Sequence, residues 1–159
     1  AGARRADNLF VRNRKRGTMV RNIGAVIAGF LVVRLVVFVL QQVGSALYPL
    51  PPGLDPMNPD DQADFQAYVA AMPAASWAMA FASEIIGAFL GAFTAGKIAS
   101  TKRRWFAGGI VGLAVVGSIM NWVAFSHPMW FIVGQLVAYP AVWFAVTRLL
   151  GDEAKAGTS

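Results

Sequence analysis

Four apolar stretches, each long enough to cross a bilayer, constrain this chain more than any other feature. They cover residues 23–47, 74–98, 105–125 and 129–150 of a 159-residue sequence. A helix needs about 20 apolar residues to traverse the hydrocarbon core, and four such spans use about half of the chain. With 57% of its residues hydrophobic, the chain carries more apolar surface than a water-soluble domain of this size hides. The expected fold is an all-α membrane protein, a four-transmembrane-helix bundle occupying residues 19–150.

The segments between the apolar stretches orient them. Residues 1–18 hold Arg4, Arg5, Arg12, Arg14, Lys15 and Arg16 with almost no apolar periodicity, so they are expected to form a disordered basic extension. Met19, just ahead of the first apolar run, is the expected natural start. Lys97, Lys102, Arg103 and Arg104 surround the middle connection, and Arg148 stands near the end. The connection between the first two stretches holds Asp55, Asp60, Asp61 and Asp64 and no basic residue. Basic residues collect on the cytoplasmic side, so both termini, including the short tail 151–159, are expected in the cytoplasm. Tyr48, Trp77, Trp122 and Trp130 would then gather at the outer interface, which favours amphipathic rings. Membrane orientation also explains the net charge of +6, and nucleic acid is not an expected partner.

A cleaved signal peptide competes for the first stretch, since a basic segment precedes it and Gly44-Ser45-Ala46 resembles a cleavage site. The length of the stretch and the Arg34 inside it argue against cleavage. Beyond it, the run from Tyr48 to Pro56 contains four prolines and reads as a stiff, extended connection. Asn58-Pro59-Asp60-Asp61 then has the order of a helix start: cap, proline at the first position, acids in the first turn. Phe65, Tyr68, Val69 and Met72 recur at helical spacing, which gives a short amphipathic helix in the first outer loop, ended by Pro73. It is expected to lie along the membrane surface or over the bundle.

Arg34 and Glu84 are the candidate functional residues. Arg34 lies thirteen residues after Arg21 and Glu84 thirteen before Lys97. At about 1.5 Å per residue, both sit roughly 20 Å in from those basic markers, at a common depth. A charge at the centre of a span costs about 2.5–3.5 kcal/mol on insertion scales, so each is expected to neutralise the other. Two readings stand. The pair serves a proton or anion pathway or a buried substrate site, or it fixes which helices meet and in what register. The sequence leans to the second, because nothing else in it forms a continuous polar path. Gln41 follows Arg34 on the same face, and Ser45 and Tyr48 continue the stripe, as a hydrated groove or an interhelical seam would.

Asn121 and Gln135, deep in the last two spans, are expected to hydrogen-bond across helices and form possible polar lining. His127, beside Pro128, reads as a turn residue, and Pro140 is expected to bend the last span. Gly87 and Gly91, with Ala88 and Ala95, and then Gly108, Gly109, Gly112 and Gly117, mark close-packing helix faces. The second set is no phosphate loop, because it lacks the Lys-Ser/Thr ending. With no cysteine and a single histidine, thiolate chemistry is excluded and no metal or other cofactor is expected. No paired carboxylates, hydrolase triad or nucleotide fingerprint argue for an enzyme.

Three motifs, Tyr48-Pro49-Leu50-Pro51-Pro52-Gly53-Leu54-Asp55-Pro56, Ala67-Tyr68-Val69-Ala70-Ala71-Met72-Pro73 and His127-Pro128-Met129-Trp130-Phe131, resemble a recurring bacterial type. These are small, uncharacterised four-helix inner-membrane proteins, and the similarity covers about residues 19–150; the basic extension before Met19 departs from the pattern. The resemblance implies bacterial origin and an inner-membrane location, and no mechanism. The sequence therefore points to a non-enzymatic structural or accessory membrane subunit, with lipid and other membrane subunits or a second copy as partners. The alternative is a small transporter or channel component built on the Arg34–Glu84 pair.

Overall fold

In the computed structural model, which describes the backbone of residues 2–151 and the side chains of residues 15–151, all regular structure is helical. The elements are α1 (Gly2–Leu47), a single 3-10 turn (Pro59–Asp61), α2 (Gln62–Ala70), α3 (Ala74–Ile98), α4 (Arg103–Ala124) and α5 (Met129–Leu150). Among the described residues, four helices are long and apolar enough to cross a membrane: α1 over Lys15–Leu47, and α3, α4 and α5 over their full lengths. Helix α3 covers residues 74–98 and α5 residues 129–150, and α4 begins at Arg103 and ends at Ala124. The expected tail beyond Gly151 lies outside the described residues.

The first helix includes the basic arm in its backbone. Where disorder is expected over residues 1–18, the backbone is helical from Gly2 onward, without a break at Met19. Helix nucleation is the costly step, and extending an existing helix by residues such as Ala, Arg, Lys and Leu costs little. No proline or paired glycine interrupts the arm.

α3 is the hub. It packs against α1, α4 and α5; α4 also packs against α5 and, less extensively, α1, and among the described residues the backbones of α1 and α5 do not approach closely. Small residues let the helices close up. A Cβ on Gly29 would stand 2.8 Å from both the Ala95 Cβ and the Gly91 carbonyl oxygen. One on Gly91 would overlap the Val33 side chain and stand 2.6 Å from the Gly29 carbonyl oxygen. The α1–α3 seam thus needs glycine on both sides. The expected glycine face of α4 behaves differently. A Cβ on Gly108 would meet only the Trp143 ring, and Gly109, Gly112 and Gly117 have nothing within 4 Å of a built Cβ. Gly117 borders the space between α1 and α4, and no neighbouring helix covers Gly109 or Gly112 closely.

One core cluster fills the space among α3, α4 and α5 around Ala88, Ala92, Ala95, Ile110, Tyr139, Val142 and Val146. A second joins Val69 of α2 to Trp77 and Phe131, with Phe65, Tyr68 and Met72 packed on it. The apolar face expected of α2 is real, and it seats the helix over the bundle. Asn58 caps the turn before α2 by accepting from the Asp60 N–H at 3.2 Å, and Pro59 takes the first position. At the opposite, basic end, Arg21 Nε donates to the Ile98 carbonyl at 2.6 Å and Arg103 Nε to the Gly96 carbonyl at 2.8 Å. Both cations meet the last, otherwise unpaired carbonyls of α3, where the helix dipole favours positive charge.

Outside these contacts the helices are lined with exposed Leu, Ile, Val and Phe side chains, Leu31, Leu35 and Phe38 on α1 among them. Only 11% of the most apolar window of α1 is buried within the chain. Water would penalise such a surface and lipid does not.

Candidate functional site

The site begins with α1, because its seam with α3 determines where Arg34 points. Val33 and Val37 lie on the glycines of α3. Arg34 is one residue, or about 100°, further round the helix, so it leaves the seam and turns toward α4. Phe30, Arg34, Val37 and Gln41 share that flank of α1 and line a cavity of about 540 Å³ that is open on one side, where Arg34 and Gln41 are exposed. Leu113, Ser118 and Asn121 of α4 form the facing wall, and Glu84 of α3 and Tyr139 of α5 lie deepest between the helices. The cavity exists because, among the described residues, the backbone of α1 approaches α4 over only a short stretch and stays apart from α5.

Arg34 and Glu84 therefore share a cavity, but they do not form the direct pair the sequence suggests. Among the described residues the guanidinium makes no hydrogen bond and no ion pair within 4.0 Å. Glu84 takes its partners from the other side. Its Oε2 accepts from Ser118 Oγ at 2.9 Å, from Tyr139 Oη at 3.3 Å and from Gln135 Nε2. The Ser118 and Tyr139 hydroxyls also meet one another, 2.6 Å apart. Every one of these bonds ends on Oε2. Oε1 has no partner among the described residues and keeps accessible surface on the half-buried Glu84.

The network extends through Gln135, which is fully buried. Its amide donates to Glu84 and its carbonyl oxygen accepts from Trp122 Nε1 at 2.8 Å. That places the amide in a fixed orientation and ties α3, α4 and α5 into one polar cluster, the cross-helix role expected of Gln135. Asn121 departs from expectation: its Nδ2 lies 3.4 Å from His127 Nε2, in the turn that follows its own helix. His127 Nδ1 donates to the Phe125 carbonyl at 2.7 Å, which leaves Nε2 to accept from Asn121. The imidazole also packs on Trp77 and Phe131 with ring centres 5.0 and 5.1 Å away. His127 is a turn residue, as its neighbours in sequence imply.

Above this cavity lies a second, of about 430 Å³, between α1, α3 and the cover made by α2. Gln41 and Asn121 line both. Ser45 and Tyr48 continue the α1 flank into the second cavity, opposite Tyr68, Trp77 and His127. The hydroxyl of Tyr68 donates to the carbonyls of Tyr48 and Pro49, each at 3.3 Å, and holds the proline-rich connection over this space. The polar stripe Arg34–Gln41–Ser45–Tyr48 thus faces adjoining cavities that run from the Glu84 cluster to the α2 end.

Ser118, Tyr139 and Trp122 belong to the site and escape a reading of the sequence by single residues. Their spacing carried a signal. Gln135 and Tyr139 are one helical turn apart, and Ser118 stands one turn before both Asn121 and Trp122, so each set marks one face. Pro140, expected to bend α5, is one residue past Tyr139 and faces outward, and the helix continues unbroken to Leu150. Gly87 and Gly91 serve helix packing, and Gly108 and Gly112 take little or no part in it. Compared with protein-family models, curated proteins and solved structures, the chain has no match in any of the three.

Proposed function

We propose that this chain is a multi-pass membrane subunit that binds a small polar solute inside the bilayer, as a small transporter or channel component. One observation carries the reading. Arg34 and Glu84 border the same cavity with bonding capacity to spare, instead of neutralising one another. A charge held in a span without a partner is costly, and proteins keep such groups where they meet substrate, ions or protons. The adjoining cavity provides a route to the α2 end. The distribution of basic residues supports placing that end outside and both termini in the cytoplasm, and the motif resemblance supports the bacterial inner membrane.

The native chain contains no cysteine, so single cysteines report on the cavity directly. Gln41→Cys and Ser45→Cys react with a membrane-impermeant thiol reagent added to the outside of intact cells, and Val137→Cys, on the exposed apolar face of α5, does not. Silence at both Gln41 and Ser45, with the proteins present in the membrane, refutes an aqueous route. Arg34→Leu, Glu84→Gln and the double variant complete the test. Normal accumulation with lost activity agrees with solute binding. Rescue by the double variant of abundance lost in the singles instead assigns the two charges a structural role.

A second reading, an accessory subunit that packs against partners or another copy, draws on a different observation. Gly109 and Gly112 of α4 leave open surface on the same helix as the exposed Val116 and Ile119. Such small-residue surfaces are suited to close helix contact.

A further inference from the structure

The solute-binding reading can be taken one step further, to the class of solute, from the sign and position of the two unsatisfied groups. Arg34 offers five N–H donors in a fixed fork, none of them used among the described residues. Glu84 spends only Oε2 on the protein, and Oε1 keeps accessible surface. The two groups stand farther apart than the 4.0 Å of an ion pair, on different helices, across one cavity. A plain anion on Arg34 brings a second negative charge toward Glu84. A plain cation on Glu84 brings a second positive charge toward Arg34. A solute carrying both charges satisfies both groups and adds no net charge within the span, where an unpaired ion is expensive.

Size and lining agree. A volume of about 540 Å³ lies within the range of roughly 300–1,000 Å³ usual for small-molecule sites. Apart from the polar groups already named, the walls are apolar, with Phe30, Val37, Phe38 and Leu113 among them. Both charges lie roughly 20 Å in from the basic markers at the helix ends, too deep for a lipid headgroup to reach. We infer that the cavity binds a small zwitterion, an amino acid with an apolar side chain. Its carboxylate sits on the Arg34 guanidinium, its ammonium on Glu84 Oε1, and its side chain lies against the apolar wall. The inference rests on the solute-binding reading.

The full chain, reconstituted in nanodiscs of phosphatidylglycerol so that no zwitterionic lipid competes, is titrated with leucine, valine, methionine and phenylalanine. Isocaproate and isoamylamine, each retaining one of leucine's two charges, are titrated alongside, and binding is read by calorimetry. At least one amino acid is expected to bind, with leucine at least about tenfold tighter than either single-charge analogue. Arg34→Met and Glu84→Gln are each expected to lose at least about tenfold in affinity, while Arg34→Lys, which keeps the cation, retains measurable binding. If isocaproate binds as tightly as leucine and is indifferent to Glu84→Gln, the site takes anions; the zwitterion falls and solute binding stands. If no amino acid and neither analogue binds to protein that elutes as a folded species, both fall together.

Discussion

Replacing Glu84 by leucine removes the acceptor on which three helices converge, and the structure sets the size of the effect. Three donors lose their common partner: Ser118 Oγ, Tyr139 Oη and Gln135 Nε2. Interhelical hydrogen bonds in membranes average about 0.6 kcal/mol each, so the three together are worth about 2 kcal/mol. Part is recovered, because the Ser118 and Tyr139 hydroxyls are already 2.6 Å apart and can satisfy one another. Gln135 has no such recourse, since it is fully buried and its oxygen is already engaged by Trp122. The expected loss for Glu84→Leu is therefore about 1–2 kcal/mol, roughly a five- to thirtyfold shift of the folding equilibrium. The reference state is separated helices already in the bilayer, so the cost of inserting the charge largely cancels. Glu84→Gln keeps one acceptor oxygen for the three donors and should cost less than half as much. The assay is reversible unfolding in mixed micelles, read by tryptophan fluorescence or by steric trapping. A Glu84→Leu protein as stable as the parent, or less affected than Glu84→Gln, would refute the claim that Oε2 organises the α3–α4–α5 contact.

Other expectations follow from the packing and the topology. Gly91→Leu drives a side chain into Val33 and the Gly29 carbonyl, so it should cost about 1–3 kcal/mol or prevent assembly, as overpacking does. Gly112→Leu, with nothing within 4 Å, should change the stability of the single chain by less than about 0.5 kcal/mol in the same unfolding assay. Trp122→Phe removes the donor to Gln135 and should cost about 0.6 kcal/mol, with a smaller effect in a Gln135→Leu background, as a double-mutant cycle would show. Reporter tags at the two termini should read the same side of the membrane, and opposite sides would overturn the orientation drawn from the basic residues.

Much of this architecture is legible one residue at a time. The four spans, the cap at Asn58, the apolar face of α2 and the glycines of α3 depend on local composition and on the 3.6-residue repeat, both visible along the chain. That Arg34 and Glu84 share a depth follows from counting, since rise per residue is a property of the helix alone. What each charge touches does not follow, because it depends on how helices are rotated about their axes and which neighbours they choose. The seam of Gly29, Gly87 and Gly91 turns Arg34 aside from α3, and the contact of α3 with α4 and α5 delivers Ser118, Gln135 and Tyr139 to Glu84. The glycines of α4 look like those of α3 in sequence, yet only the α3 set is covered, since a small residue permits close approach without selecting a partner. The sequence by itself determined that four helices are long and apolar enough to cross a membrane and that two of them carry charges at one level. Only the tertiary structure decided that those charges face a shared cavity, because the space left between α1, α4 and α5 is a property of their packing.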